Sequence, residues 1–216
     1  MLTIDYYTDV LCVWAWIAEP RVQELQKQFG SNIRIVDRYI DVFGNTAHKL
    51  HQQWSQRGGQ TAFAEHVQEA VQGHESAPVN PDNWVTNTPT TSASAHLHIK
   101  AVTLTMGEAA ARDFTRALRE AFFIDGRDIS HAHTLAGLIE SCDLNSAAVN
   151  AALHDGTAMA ALMSDYQAAR SLHLRGSPSY VMNNERQILY GNVGYRVLSA
   201  NVEELLREVP HEASWC

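Results

Sequence analysis

Asp9-Val10-Leu11-Cys12-Val13-Trp14-Ala15-Trp16-Ile17-Ala18 is a strand-like opening that runs into a helix, with a cysteine at the junction. A thiol at that position faces the unpaired N–H groups of the first turn and the positive end of the helix dipole, and both favour thiolate over thiol. Cys12 is therefore the first candidate nucleophile. The competing reading makes it one more small apolar residue in the run Val10 to Ala18, because a free cysteine packs as a hydrophobe. Upstream, Leu2-Thr3-Ile4-Asp5 alternates apolar and polar and continues into Tyr6-Tyr7, which reads as a first strand. Downstream, Val13, Trp16, Ile17, Val22 and Leu25 keep roughly helical spacing, Pro20 is expected to kink the helix, and Phe29-Gly30 ends it. Asn32 to Asp41 then reads as a second strand, and strand–helix–strand at this length implies a parallel β-α-β unit.

From Thr46 to His173 the strand signal nearly vanishes. Helices are expected over 61–72, 91–105, 109–123, 131–141, 146–153 and 157–172, separated by Gly58-Gly59, the stretch Gly73 to Pro89, Asp125 to Asp128 and Asp143 to Asn145. Strands return with Ser179 to Met182 and Arg186 to Tyr190, joined by Asn183-Asn184, a pair that can supply the positive φ angles of a tight turn. Leu198, Val202, Leu205 and Leu206 stripe a last helix over 197–209, which Pro210 stops.

The strand, the cysteine and the helix, followed late in the chain by Arg175-Gly176-Ser177-Pro178-Ser179-Tyr180, resemble the active site of thioredoxin-like proteins, and most closely that of the DsbA family. Its relevant branches are the FrnE-like oxidoreductases, the kappa-class glutathione transferases and the 2-hydroxychromene-2-carboxylate isomerases. Ala121 to Ser130 also resembles the linker of the FrnE-like branch. The resemblance implies an α/β, thioredoxin-like fold with a large all-helical insertion, residues 1–45 and 174–216 forming the thioredoxin-like domain and 46–173 the insertion. It implies a cis bond before Pro178, which would lie beside Cys12, with the backbone of Ser177 presented to an extended cysteinyl peptide or to glutathione. Trp14 and Ala15 would border the same substrate. A dithiol member would read Cys-Pro-x-Cys, whereas this chain reads Cys12-Val13-Trp14-Ala15 and so lacks the thiol that resolves a mixed disulfide. Kappa-type relatives carry serine where Cys12 stands, which leaves the chain between the two groups.

The expected function is thus thiol-disulfide exchange through Cys12 alone, on protein or small-molecule thiols and disulfides, with an external thiol such as glutathione as co-substrate and no tightly bound cofactor. The alternatives are a glutathione-dependent transferase or isomerase and a non-catalytic peptide-binding module. A net charge of −8 argues against a nucleic-acid partner. No apolar run approaches the roughly 20 residues of a membrane helix, and the N-terminus shows no secretory pattern, so no membrane partner and a cytoplasmic location are expected. Three scattered cysteines suit a reducing compartment. The oligomeric state stays open, a homodimer among the options. No metal is expected: His96 and His98, like His131 and His133, are spaced i,i+2 and point to different sides of a helix, so the histidines read as solvated or capping. Cys142 reads as structural, and Cys216 as a surface thiol able to resolve a mixed disulfide only if the tail folds back.

Overall fold

The computed structural model describes residues 1–207; the expected end of the last helix, Pro210 and Cys216 lie outside them. Four strands, β1 (Leu2–Thr8), β2 (Ile33–Tyr39), β3 (Ser179–Met182) and β4 (Gln187–Tyr190), form one sheet in the order β2-β1-β3-β4. β1 and β2 are parallel, joined by helix α1 (Val13–Phe29), while β3 and β4 run antiparallel. The remaining helices are α2 (Thr46–His48), α3 (Gly59–Ala70), α4 (Ala93–Phe123), α5 (Ala132–Ser141), α6 (Ser146–His154), α7 (Thr157–Ser171) and α8 (Tyr195–Leu206).

Strand alternation sorts the sheet's two faces. Ile4 opposes Met182 and Tyr6 opposes Tyr180, and these residues pack with Leu25 and Phe29 of α1 and Leu198, Val202 and Leu205 of α8. The other face presents Tyr7 and Val181 to Ala169 of α7. A larger core fills the helical region and reaches up to Val10, Leu11 and Cys12, just past the end of β1. Buried polar ties hold the helices on the sheet. Asp165 of α7 accepts from the Tyr39 backbone (3.1 Å) and Arg38 (3.2 Å) and pairs with Lys100 of α4, while Arg119 of α4 reaches Glu19 (3.2 Å) and Thr8 (3.2 Å).

Three local features depart from the sequence reading. α1 runs through Pro20 as a single helix. The hairpin loop has four residues rather than two, because Met182 pairs with Gln187, and Asn183, Asn184 and Glu185 all take positive φ. Residues 46–53, to which the sequence reading assigns no helix, form the single turn α2 and a wide π-type turn, started by the Asn45 side chain accepting from the His48 N–H (2.9 Å). The two helices expected around residues 105–109 are the halves of α4, parted at Gly107, whose φ of 88° and ψ of 174° are essentially confined to glycine.

Candidate active site

Cys12 caps α1 in an extended conformation (φ −83°, ψ 115°), where no side-chain hydroxyl or carboxylate satisfies the first turn. The cap position aims its sulfur at the loop before β3. There the Ser177–Pro178 bond is cis, and the Cys12 thiol donates to the Ser177 carbonyl across 3.1 Å. The Ser177 hydroxyl oxygen accepts from the Asp9 N–H (2.9 Å), which leaves the hydroxyl hydrogen free for the sulfur. Residues 165 positions apart in the chain are thus joined at one point.

Sequence reasoning expected the helix start to lower the Cys12 pKa, and the structure reverses that. The residue is 6% exposed, and burial pushes the thiol up from its ordinary value. The Ser177 hydroxyl and the Ala15 and Trp14 N–H groups pull it down, and the Asp9 carboxylate opposes them. The helix-terminal effect is therefore present and outweighed.

Beneath the cysteine lies a polar cluster that the sequence reading missed. Asp9 is fully buried. Its carboxylate accepts from Leu11 N–H (2.9 Å), Phe43 N–H (2.8 Å) and the Ser92 hydroxyl (2.8 Å), fixing the β1–α1 turn to the loop after β2 and to the start of α4. Burial raises it to about 6, against the lowering by those donors and Lys49. His96, read from its spacing as solvated or capping, is also fully buried. Its Nε2 accepts from Val10 N–H (3.1 Å), so the neutral ring carries its proton on Nδ1 and donates to the Tyr166 hydroxyl at 2.9 Å. Burial, helped by Arg119 and Lys100, lowers it to about 3. An i,i+2 pair does point to two sides of a helix, but one side here faces the core; His98 caps the Ser94 carbonyl instead (2.8 Å).

A cavity of about 200 Å³ opens over Cys12. Trp14, Phe43, Trp54 and Phe63 wall it, and Lys49 and Arg175 bring positive charge to it. Lys49 stands over the Phe43 ring (4.8 Å); burial lowers its ammonium pKa, and the Cys12 and Asp9 charges counteract that. Of the residues read from sequence, Cys12, Trp14 and Ser177 line the cavity. Trp16 packs inward on Phe123 and donates to the Pro78 carbonyl (3.1 Å). Ala15 and Pro178 are buried and are not among the residues that line the space. Cys142 sits at the end of α5, with Asp113, Glu120 and Asp143 raising its pKa after burial. The one sequence signal for the missed residues was Asp9, a carboxylate three positions before the cysteine in an otherwise apolar run.

A thiol at a β-α junction, held against a cis-proline loop in a four-stranded mixed sheet, defines a thioredoxin-like protein with a helical insertion. The chain belongs to the DSBA-like thioredoxin domain family, whose model matches residues 3–203. Among curated proteins it is similar to the ClpXP adapter protein SpxH of Halalkalibacterium halodurans, at 28% identity over 190 residues, 85% of this chain; it spans 59% of that relative's length. Among solved structures, a Nitrosomonas europaea protein classed as a protein disulfide isomerase superposes with a TM-score of 0.77 at 12% identity, covering 95% of this chain and 97% of the other. The cytosolic disulfide reductase DsbM of Pseudomonas aeruginosa, solved with GSH, gives 0.68 at 18% identity, covering 95% of this chain and all of the other. Such identities carry the fold. No helix among the described residues is long and apolar enough to cross a membrane.

Proposed function

We propose that this protein exchanges disulfides through Cys12 alone, with glutathione or a similar external thiol closing each cycle. The observation that carries the reading is the Cys12 sulfur, 3.1 Å from the Ser177 backbone at a cavity floor, with alanine where a resolving cysteine would stand. The Cys12 thiolate attacks one sulfur of a disulfide; the Cys12–S bond to that sulfur forms, the substrate's S–S bond breaks, and the departing thiolate takes up the proton that Cys12 gave up. A glutathione thiolate then attacks the substrate sulfur of the mixed disulfide. Cys12 leaves as thiolate, and the substrate departs bonded to glutathione. Ser177 and Trp14 flank the bound sulfur, and Pro178 holds the Ser177 carbonyl in place. In the division into a thioredoxin-like domain of residues 1–45 and 174–216 and an insertion of 46–173, the first supplies Cys12, Ser177, Trp14 and Phe43, and the second adds Lys49, Trp54 and Phe63.

Incubation with oxidised glutathione followed by intact-mass measurement tests this. One glutathionyl adduct is expected, mapped to Cys12, removed by reduced glutathione and absent from Cys12→Ser. An unmodified Cys12, under conditions that modify Cys142, would overturn the proposal. The likeness to SpxH favours a second reading, a peptide-binding adapter without turnover; Cys12→Ser would then retain full function.

A further inference from the structure

Two further hollows share walls with the cavity over Cys12. Arg175, Gly176 and Ser177 also line one of about 630 Å³ that includes His173 and Tyr190. Val42 and Lys49 also line another of about 440 Å³ that includes Asn45 and His48. Together they make a cleft larger than a small thiol needs, one that suits an extended chain.

The charge along it runs against that of the molecule. The protein carries a net −8, yet Lys49 and Arg175 both line the cavity over Cys12, with His66 in the same lining and His48 and His173 in the two adjoining hollows. The acidic residue of its wall, Asp41, is engaged by Arg170 at 2.7 Å. Neither Lys49 nor Arg175 has a carboxylate within 4 Å among the described residues, a state they share with Arg21, Arg57, Arg127, Arg186 and Arg196; what sets the two apart is that they line the cavity over Cys12. Cations left unpaired in a concave surface of an anionic protein are available to an anionic ligand.

We propose that the cleft binds an extended acidic peptide whose cysteine, held in a disulfide, is presented to Cys12 with carboxylate side chains on both flanks. This rests on Cys12 being the exchanging thiol, but the binding preference is measurable without exchange. The acidic flanks meet Lys49 and Arg175, and the residue next to the cysteine sits against Trp14 and Trp54.

Two measurements on the full chain separate the ideas. In the first, fluorescent seven-residue peptides with serine for cysteine and with acidic, neutral or basic flanks are titrated and followed by anisotropy at low salt. The acidic peptide is expected to bind roughly fivefold to tenfold more tightly than the neutral one, with the basic peptide weakest. The gap should close as salt rises and vanish or invert in Arg175→Glu, a charge reversal at an exposed position. Equal affinities, or a preference untouched by Arg175→Glu, would overturn the proposal. In the second, the cysteine versions, disulfide-bonded to a chromogenic thiol, are followed for thiol release by the natural protein and by Cys12→Ser. An acidic preference in binding without Cys12-dependent release sinks the exchange reading and leaves the cleft assignment standing. Release with no preference for charge does the reverse.

Discussion

Burial and the helix start pull the Cys12 sulfur in opposite directions, and burial prevails. Its alkylation by iodoacetamide is accordingly expected to rise with pH through a midpoint above that of an ordinary thiol. Lys49 is the cation whose charge is coupled to the sulfur, so Lys49→Met should move that midpoint higher still and slow the reaction at pH 7 several-fold. A midpoint that stays put would mean that Lys49 does not act on the thiol. Asp9 and His96 set a pH dependence of folding. Asp9 is raised from 3.8 to about 6, so between those values the native state holds a proton that the unfolded chain has lost, and stability falls as pH rises. His96 is lowered from 6.5 to about 3, so between those values the unfolded chain holds the extra proton, and stability falls as pH drops. The two slopes cancel between about 4 and 6, which leaves His96 to act alone from about 4 down to 3, at about 1.4 kcal/mol per pH unit. His96→Gln should remove that loss and expose the opposite slope of Asp9 above it. Urea midpoints at pH 3.5, 5 and 7 for the two proteins measure both effects.

At the scale of the element, the first turn of α1 holds Cys12 at its cap and Ala15 three positions on. The Ala15 N–H donates to the Cys12 carbonyl (3.1 Å) and also faces the sulfur, so the side chains at 12 and 15 share the turn. Ala15→Cys is expected to form a 12–15 disulfide and to confer reduction of insulin that depends far less on added glutathione, because the resolving thiol becomes intramolecular. Ala15 is fully buried, so the added sulfur should lower stability by about 1–3 kcal/mol, visible as a drop in Tm. A variant that folds, forms the disulfide and reduces nothing would argue that the cleft is shaped for binding or for glutathione chemistry without net redox change.

Across the whole molecule, polar contacts both exposed and buried tie the helices to the sheet, and Asp165 makes the largest number of the buried ones. It serves β2 through the Tyr39 backbone and Arg38, and α4 through Lys100. Arg38 keeps Asp5 as a second partner (3.0 Å), whereas Lys100 is 7% exposed and, among the described residues, has only Asp165 within ion-pair distance. Asp165→Asn therefore strands a buried ammonium, and a loss of about 3–5 kcal/mol is expected in urea unfolding. Adding Lys100→Met should recover most of it, since the cost comes from the uncompensated charge. Failure of the double variant to recover would place the cost in the Tyr39 hydrogen bond instead.

Local pattern was enough for much of this protein. Placing Ser177 beside Cys12, 165 positions away, came from the family resemblance, whereas alternation in Leu2 to Tyr7, the cysteine opening a helix, and the alanine-rich helical stretch with its glycine breaks led to the β-α-β start and the helices that follow it. These are features that neighbouring residues impose on one another within a few positions of chain. What the sequence did not contain was the environment each side chain meets once distant segments converge. Helix-terminal geometry is local and was legible, but the desolvation that raises the Cys12 pKa comes from the helical core and the Ser177 loop. His96 has the spacing of a surface histidine and becomes a buried acceptor because α4 lies under the Val10 N–H. Asp9, Lys49 and Arg175 are ordinary charged residues in the chain. Only tertiary packing decides that the first is locked beneath the thiol and that the other two line the cavity over it, since burial and electrostatic pairing depend on which residues become neighbours in space.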